Sequence, residues 1–288
     1  MNHSISISPK IKENESYFRE VFKDCADILF HTMELGQGKT VDCFVIYLEV
    51  AVSNMILEES VLGKFINELC KVSGNEIVDR IEKNAFGISD AVQLDSAEEV
   101  TAGVFAGDAI FFIDGYAHAI KISEKGYPSM GVSEADREKV LRGSKEGFTD
   151  SVKTNSALIR KRIRNPRMKV KEQTIGRRSQ TKVQILYIEE LARSEILEEL
   201  ETKLSGFEID GVLDSGVIEQ LTKENWLSPF PQFQTTERPD KCAMELLNGR
   251  IVLLVDNSPV GLLIPAVFND FLQVSEHEYQ TFELATFL

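Results

Sequence analysis

The sequence predicts an α/β protein built from two similar α/β lobes joined by a long helix. Helix-like and strand-like segments follow one another in the same order in both halves of the 288-residue chain. Residues match as well: Tyr47-Leu48-Glu49 recurs as Tyr187-Ile188-Glu189, and Ile113-Asp114 recurs as Val255-Asp256. We interpret these matches as an internal duplication. The alternative is that strand–helix boundaries in any α/β domain attract similar residues.

Three regions are expected: a first α/β lobe over residues 1–140, a basic connecting helix over 141–165 and a second α/β lobe over 166–275. In the first lobe, apolar residues at spacings of three and four predict an amphipathic helix over 15–35, ended by Gly36 and Gly38. The lobe's other expected elements are a strand at 41–50, helices near 59–70, 75–84 and 96–105, and strands at 109–113 and 117–122. The second lobe is expected to repeat them as strands at 167–174 and 182–188, helices near 194–204, 215–223 and 239–248, and strands at 251–255 and 260–264.

The connecting helix is expected over residues 144–164, where Pro166 ends it. One stripe of this helix is apolar and includes Asn155, and a second stripe is basic. The apolar stripe consists of Phe148, Val152, Ile159 and Ile163, and the basic stripe of Lys153, Arg160 and Arg164.

The net charge of −14 is unevenly distributed. Residues 153–182 contain eleven Lys and Arg and one acidic residue, so the rest of the chain has a net charge of −24. The acidic chain argues against general affinity for nucleic acid, and the basic segment has no aromatic residue for base stacking. We therefore expect no nucleic-acid partner; steeply salt-dependent binding to any duplex would favour that alternative.

The sequence also indicates a compartment. No apolar run approaches the roughly 18–20 residues that span a membrane, and the first ten residues lack the pattern of a secretory signal. Four separated cysteines without CxxC spacing favour reduced thiols over a disulfide framework. We expect a soluble fragment in the cytosol.

Two short motifs resemble catalytic or phosphate-binding sequences, but neither is complete. Residues 36–40 end like a P-loop, yet Met33 stands where the first glycine is required, and we favour a helix C-terminus there. Asp214-Ser215-Gly216 resembles half of an aspartic-protease dyad, which needs a second such loop, so we expect Asp214 or Ser215 to cap a helix. The histidines and cysteines lack metal-ligand spacing. No catalytic residue, metal or cofactor is predicted; an enzyme with an unfamiliar site is the alternative.

Two stretches of sequence are more specific. The first runs from Arg142 to Ile163 and continues as Ile175-Gly176-Arg177-Arg178-Ser179-Gln180-Thr181. The second comprises Ile209-Asp210-Gly211-Val212-Leu213-Asp214-Ser215-Gly216, Thr236-Glu237-Arg238-Pro239-Asp240 and Val255-Asp256-Asn257-Ser258-Pro259. Together they resemble the A-subunit family of bacterial spore germinant receptors, the GerA type, over residues 140–275. Residues 1–135 match mainly in layout.

The resemblance implies a longer protein in the spore inner membrane, whose soluble N-terminal region faces the core and precedes several transmembrane helices. Residues 276–288 would lead towards that missing transmembrane region. It also implies assembly with a transporter-like membrane B subunit, a lipoprotein C subunit and further copies of the A subunit. The implied function is receptor assembly and nutrient-triggered signalling for spore germination, without catalysis. The alternative is a two-lobed domain that binds a small-molecule germinant directly.

Eight residues are candidates for contact with a partner or ligand. No helix or strand needs Arg160, Arg162, Arg177 and Arg178, and we expect them to meet acidic surface on their own lobe or on a neighbouring subunit. The alternative is a solvated charged face. The family motifs add the candidates Asn155, Glu237, Arg238 and Asp240, although Pro239 and Asp240 also suit the first turn of a helix.

Overall fold

The computed structural model describes residues 5–52, 61–82, 91–123, 138, 144–222 and 233–266. The chain divides into two compact units: Met1–Pro128 with Arg164–Pro166, and Ser129–Ile163 with Arg167–Leu288. Each unit contains a five-stranded antiparallel sheet with helices packed on both faces. The expected pair of α/β lobes is therefore confirmed.

The first unit has the strand order β1-β2-β4-β5-β3. Helices α1 and α5 pack on one face of this sheet, and α3 and α4 on the other. The elements are α1 (Ile11–Val21), β1 (Ile28–Leu35), β2 (Val41–Leu48), α2 (Glu49–Val52), α3 (Val61–Cys70), α4 (Gly74–Glu82), β3 (Ala91–Leu94), α5 (Ala97–Ala106), β4 (Ala109–Ile113) and β5 (Ala119–Ile122).

The second unit has the corresponding strand order β6-β7-β9-β10-β8. Helices α6 and α9 pack on one face, and α7 and α8 on the other. The elements are α6 (Val152–Arg160), β6 (Met168–Ile175), β7 (Thr181–Ile188), α7 (Ser194–Ser205), α8 (Ser215–Thr222), β8 (Gln234–Thr236), α9 (Pro239–Leu247), β9 (Ile251–Val255) and β10 (Gly261–Ile264).

The repeat extends to individual hydrogen bonds. The Ile11 N–H, at the start of α1, donates to the Asp114 carboxylate over 3.0 Å. The Val152 N–H, at the start of α6, donates to the Asp256 carboxylate over 3.0 Å. Asp114 follows strand β4, and Asp256 follows strand β9. The matched pairs Ile113-Asp114 and Val255-Asp256 therefore hold equivalent helices in place.

The predicted helix over 15–35 is wrong in its second half. Helix α1 ends at Val21, and Ile28–Leu35 is an edge strand that pairs antiparallel with Val41–Leu48. The apolar residues of this edge strand are spaced as in a helix. The strand is covered only in part, so its buried and exposed residues do not alternate regularly. Residues 36–40 form the hairpin turn and not a helix C-terminus: Gly36 has φ +125°, and a Cβ there would lie 2.6 Å from the Lys39 carbonyl oxygen.

The expected connecting helix is shorter than predicted and lies within the second unit. Helix α6 begins after Ser151, whose hydroxyl accepts from the Thr154 N–H at 3.4 Å. Phe148, Val152 and Ile159 pack in the core beneath the second sheet. The helix is therefore the counterpart of α1 and contributes to one unit's stability.

Candidate interaction surface

One end of the second sheet brings together several of the family-specific sequence segments. The Thr181 hydroxyl, at the start of β7, donates to the Val212 carbonyl over 2.6 Å. The Ser258 and Ser215 hydroxyls are 2.8 Å apart, so the turn after β9 contacts the start of α8. The turn between β6 and β7, the loop before α8 and the turn after β9 therefore meet at this end.

Backbone hydrogen bonds to the neighbouring loop fix the turn between β6 and β7. The Arg177 N–H donates to the Ile209 carbonyl at 2.9 Å, and the Arg178 N–H to the Asp210 carbonyl at 2.8 Å. Gly176 has φ +91°, and a Cβ there would collide with the Ser179 hydroxyl. The two arginines consequently project from a turn whose path is set by hydrogen bonds to the neighbouring loop.

The side chains of these arginines meet acidic residues of their own unit. Arg177 pairs with Glu208 at 3.1 Å, and Arg178 lies 3.6 Å from Asp210. All four side chains are mostly exposed, and exposed pairs contribute only about 0–1 kcal/mol each. Both guanidinium groups can therefore exchange these carboxylates for a partner at little cost.

Leu213 adds an apolar group to the same surface. Its side chain is 75% exposed, although Val212 before it is buried. Asp214 after it accepts a hydrogen bond from the Val217 N–H at 3.2 Å, and so caps α8 as expected. We call Arg177, Arg178 and Leu213 the loop surface. Sequence reasoning missed Leu213 because nothing in the sequence distinguishes an exposed leucine from a core one.

Arg238 and Asp240 form a buried ion pair at the start of α9. The Arg238 side chain is 1% exposed, and its Nη2 lies 2.7 Å from Asp240 Oδ2. Pro239 occupies the first helical turn, as expected. The Glu237 N–H donates to the Glu138 carboxylate at 2.8 Å. Glu237, Arg238 and Asp240 therefore organise the start of α9.

Asn155 and Arg160 also act within the second unit. The Asn155 amide accepts from the Thr149 N–H at 2.7 Å and donates to the Thr149 carbonyl at 2.6 Å. Arg160 is completely buried and donates to the Met168 carbonyl at 2.7 Å. Both side chains stabilise the packing of α6, so the expectation that no element needs Arg160 does not hold.

Arg162 pairs with Glu146 at 2.6 Å, and Lys161 pairs with the same carboxylate at 3.0 Å. Burial on its own would raise the pKa of Glu146, but the hydrogen bonds from Lys161 and Arg162 outweigh it and lower that pKa. The ionised Glu146 therefore stabilises the folded protein at pH values above the pKa that this residue has in the unfolded chain. This stabilisation is lost as the pH falls through the lower pKa of the folded protein.

We expect the Glu146→Gln variant to be less stable than the native protein at pH 7 and to approach it in acid. The difference should shrink as pH falls below the usual pKa of 4.5 towards the lowered value, because a protonated glutamate resembles glutamine. Urea denaturation across this pH range measures it. A difference that stays constant down to about pH 3 would contradict the assignment.

The described residues hold no metal-binding cluster, and two of their cysteines are poor nucleophiles. Within these ranges no group of His, Cys, Asp or Glu is arranged to hold a metal ion. Burial raises the pKa of the Cys43 thiol to about 12 and that of Cys242 well above its usual range, which disfavours a nucleophilic thiolate. None of the helices in the described ranges is long and apolar enough to cross a bilayer.

Fold and surface together define a two-lobed α/β domain with a repeated topology. The chain belongs to the Bacillus/Clostridium GerA spore germination protein family, whose model matches residues 16–288. It is 29% identical to spore germination protein KA of Bacillus subtilis over 98% of this chain and 52% of that protein. It is 32% identical to the uncharacterized membrane protein YfkQ of the same organism over 100% of this chain and 55% of that protein.

A solved structure resembles the whole fold. The crystal structure of the N-terminal domain of the A subunit of the Bacillus megaterium spore germinant receptor GerK3 matches with a TM-score of 0.70 and 26% identity. The match covers 93% of this chain and 99% of that one. The chain spans about half the length of the curated relatives above.

Proposed function

We propose that this chain is the N-terminal domain of a germinant receptor A subunit and acts in receptor assembly and nutrient-triggered signalling, through contact of its loop surface with another receptor subunit. The other subunits are a transporter-like membrane B subunit, a lipoprotein C subunit and further A copies. In the full-length protein the domain lies on the core side of the spore inner membrane. The similarity to GerK3 and to spore germination protein KA supports this assignment.

The exposure of Leu213 in the loop before α8, beside the hydrogen-bonded turn between β6 and β7, is the observation that carries the proposal. Burying a leucine side chain contributes about 1.5–3 kcal/mol, and arginines are enriched among residues that dominate interface energies. Because the backbone of both loops is already hydrogen-bonded, little ordering entropy is lost on association. Such a surface suits a protein partner.

We expect a triple variant, Leu213→Ser with Arg177→Ala and Arg178→Ala, to reduce subunit co-purification and the germination rate about 10-fold or more. The reason is that the contact between subunits should lose roughly 1.5 kcal/mol or more of binding free energy. The control is Leu191→Ser, because Leu191 is 48% exposed but lies after the other end of β7. The isolated domain of each variant should keep its thermal stability. Normal assembly and germination of the triple variant would contradict the proposal.

A further inference from the structure

The outer edge of the first sheet is a long, regular strand. Strand β1 is the terminal strand of this sheet, and its eight residues pair one to one with Val41–Leu48. The ladder uses only one side of β1, so alternate N–H and C=O groups point away from the sheet on the other side. In the described parts of the chain, the one backbone hydrogen bond that β1 makes outside this ladder joins the Ile28 N–H to the Cys25 carbonyl at 3.0 Å.

Strand β1 also lacks the features that usually protect a sheet edge. Natural edge strands are short, bulged or covered, or they carry proline or lysine. Residues 28–35 contain neither proline nor lysine, and the one-to-one register with β2 has no bulge. His31 and Thr32, in the middle of the strand, are exposed. The edge is therefore accessible to an added strand.

The second unit protects its corresponding edge strand, β6. Lys169 and Lys171 occupy the register positions that Leu29 and His31 occupy in β1. Both lysines make ion pairs with glutamates of their own unit. The buried Arg160 donates to the carbonyl group of the first residue of β6 at 2.7 Å. The same fold therefore closes this edge in one unit and leaves it open in the other.

The side chains along β1 define what an added strand must contain. Leu29 and Met33 are partly buried apolar residues on one face of the strand, and Phe30 is such a residue on the other face. Glu34, near the end of the strand, is exposed and lies directly opposite Asp42 on β2. Neither carboxylate has an ion pair among the described residues, and adjacent like charges are destabilising. An added strand with apolar residues beside Phe30 and Met33 and a basic residue beside Glu34 would therefore fit this edge.

We propose that β1 is a docking site for an extended segment of a partner protein, which adds antiparallel to the edge and places a lysine or arginine opposite Glu34. Main-chain hydrogen bonds provide the affinity of such a contact, and side chains at alternate positions provide its specificity. The segment would continue the five-stranded sheet as a further strand. The site lies within the first unit and does not depend on the loop surface of the second.

The synthetic peptide Thr-Lys-Val-Thr-Val-Tyr-Val tests this inference. Its lysine lies opposite Glu34 when its first residue pairs antiparallel with Leu35. We expect saturable binding to the 288-residue chain, with slower hydrogen exchange in β1. Two further versions of the peptide carry methylated amide nitrogens at the odd or at the even positions. Because an edge strand bonds to alternate residues of its neighbour, one methylated version should bind and the other should not.

Leu29→Lys copies Lys169 of the second unit and should weaken peptide binding at least about 10-fold, because a lysine on an edge strand opposes strand addition. The variant should keep its melting temperature, since Glu49 matches the Glu189 that pairs with Lys169. The matched control is Val92→Lys. Val92 is 47% exposed on β3, the four-residue strand at the opposite edge of the same sheet, and its replacement should leave binding unchanged.

A peptide with glutamate in place of the lysine should bind about 3-fold more weakly or worse, because it would face the Glu34 carboxylate. Absence of saturable binding by the unmethylated peptide, equal binding of both methylated versions, or equal binding by Leu29→Lys would overturn the inference. So would equal binding of the glutamate peptide. Dimerisation of the chain through β1 without peptide would also overturn it, since a second copy would then occupy the edge. None of these outcomes affects the prediction for Leu213, so the two proposals fail separately.

Discussion

The Asp240→Ala variant is expected to lose about 3 kcal/mol or more of unfolding free energy, because removal of one partner of a buried ion pair leaves the other charge buried. Arg238 is 1% exposed, and its Nε and Nη2 contact the two Asp240 oxygens at 3.2 and 2.7 Å. Asp240 also lies in the first turn of α9, where a negative charge is stabilising. Chemical denaturation followed by circular dichroism measures the loss.

The control for this prediction is Asp210→Ala. Asp210 also pairs with an arginine, Arg178, but both side chains are mostly exposed and 3.6 Å apart. We expect a change of about 1 kcal/mol or less. Similar losses in the two variants would show that burial of the Arg238 pair does not determine its contribution.

Replacing Asn14 or Asn155 with alanine should destabilise its own unit by about 2 kcal/mol or more. Asn155 bridges the N–H and carbonyl of Thr149, and Asn14 bridges those of Ser8 at 2.9 and 2.7 Å. Each of these part-buried backbone groups costs about 1 kcal/mol when it is left without its partner. Because the two networks are equivalent, the two losses should be similar.

Hydrogen exchange resolves the two effects. Asn14→Ala should accelerate exchange in β2 and β4, and Asn155→Ala should accelerate it in β7 and β9. Asn248→Ala, at an exposed position after α9, is the control and should change stability by no more than about 0.5 kcal/mol. If only one of the two asparagines mattered, the networks would not be energetically equivalent.

Much of the fold could be predicted because its signals are local and repeated. The strands at Ala109–Ile113 and Ile251–Val255 are short apolar runs that end at an aspartate, and the structure confirms both. The edge strand Ile28–Leu35 could not be recognised, because its two faces are only partly covered. The short strands Ala91–Leu94 and Gln234–Thr236 gave no pattern long enough to detect.

The candidate surface was only partly predictable. Arg177 and Arg178 were identified because no helix or strand needs them, whereas Arg160 looked similar in sequence and is buried. Its burial depends on the packing of α6 against the sheet, which the sequence does not reveal.

Thiol labelling of Leu213→Cys most directly tests whether the loop surface contacts another receptor subunit. The background is Cys70→Ser, because Cys70 is the exposed cysteine and Cys25, Cys43 and Cys242 are buried. The labelling rate of the peptide that contains position 213 is compared between the isolated domain and the full-length protein in its assembled receptor. We expect fast labelling in the isolated domain and strong protection in the receptor. Equal labelling in both would contradict the proposed contact.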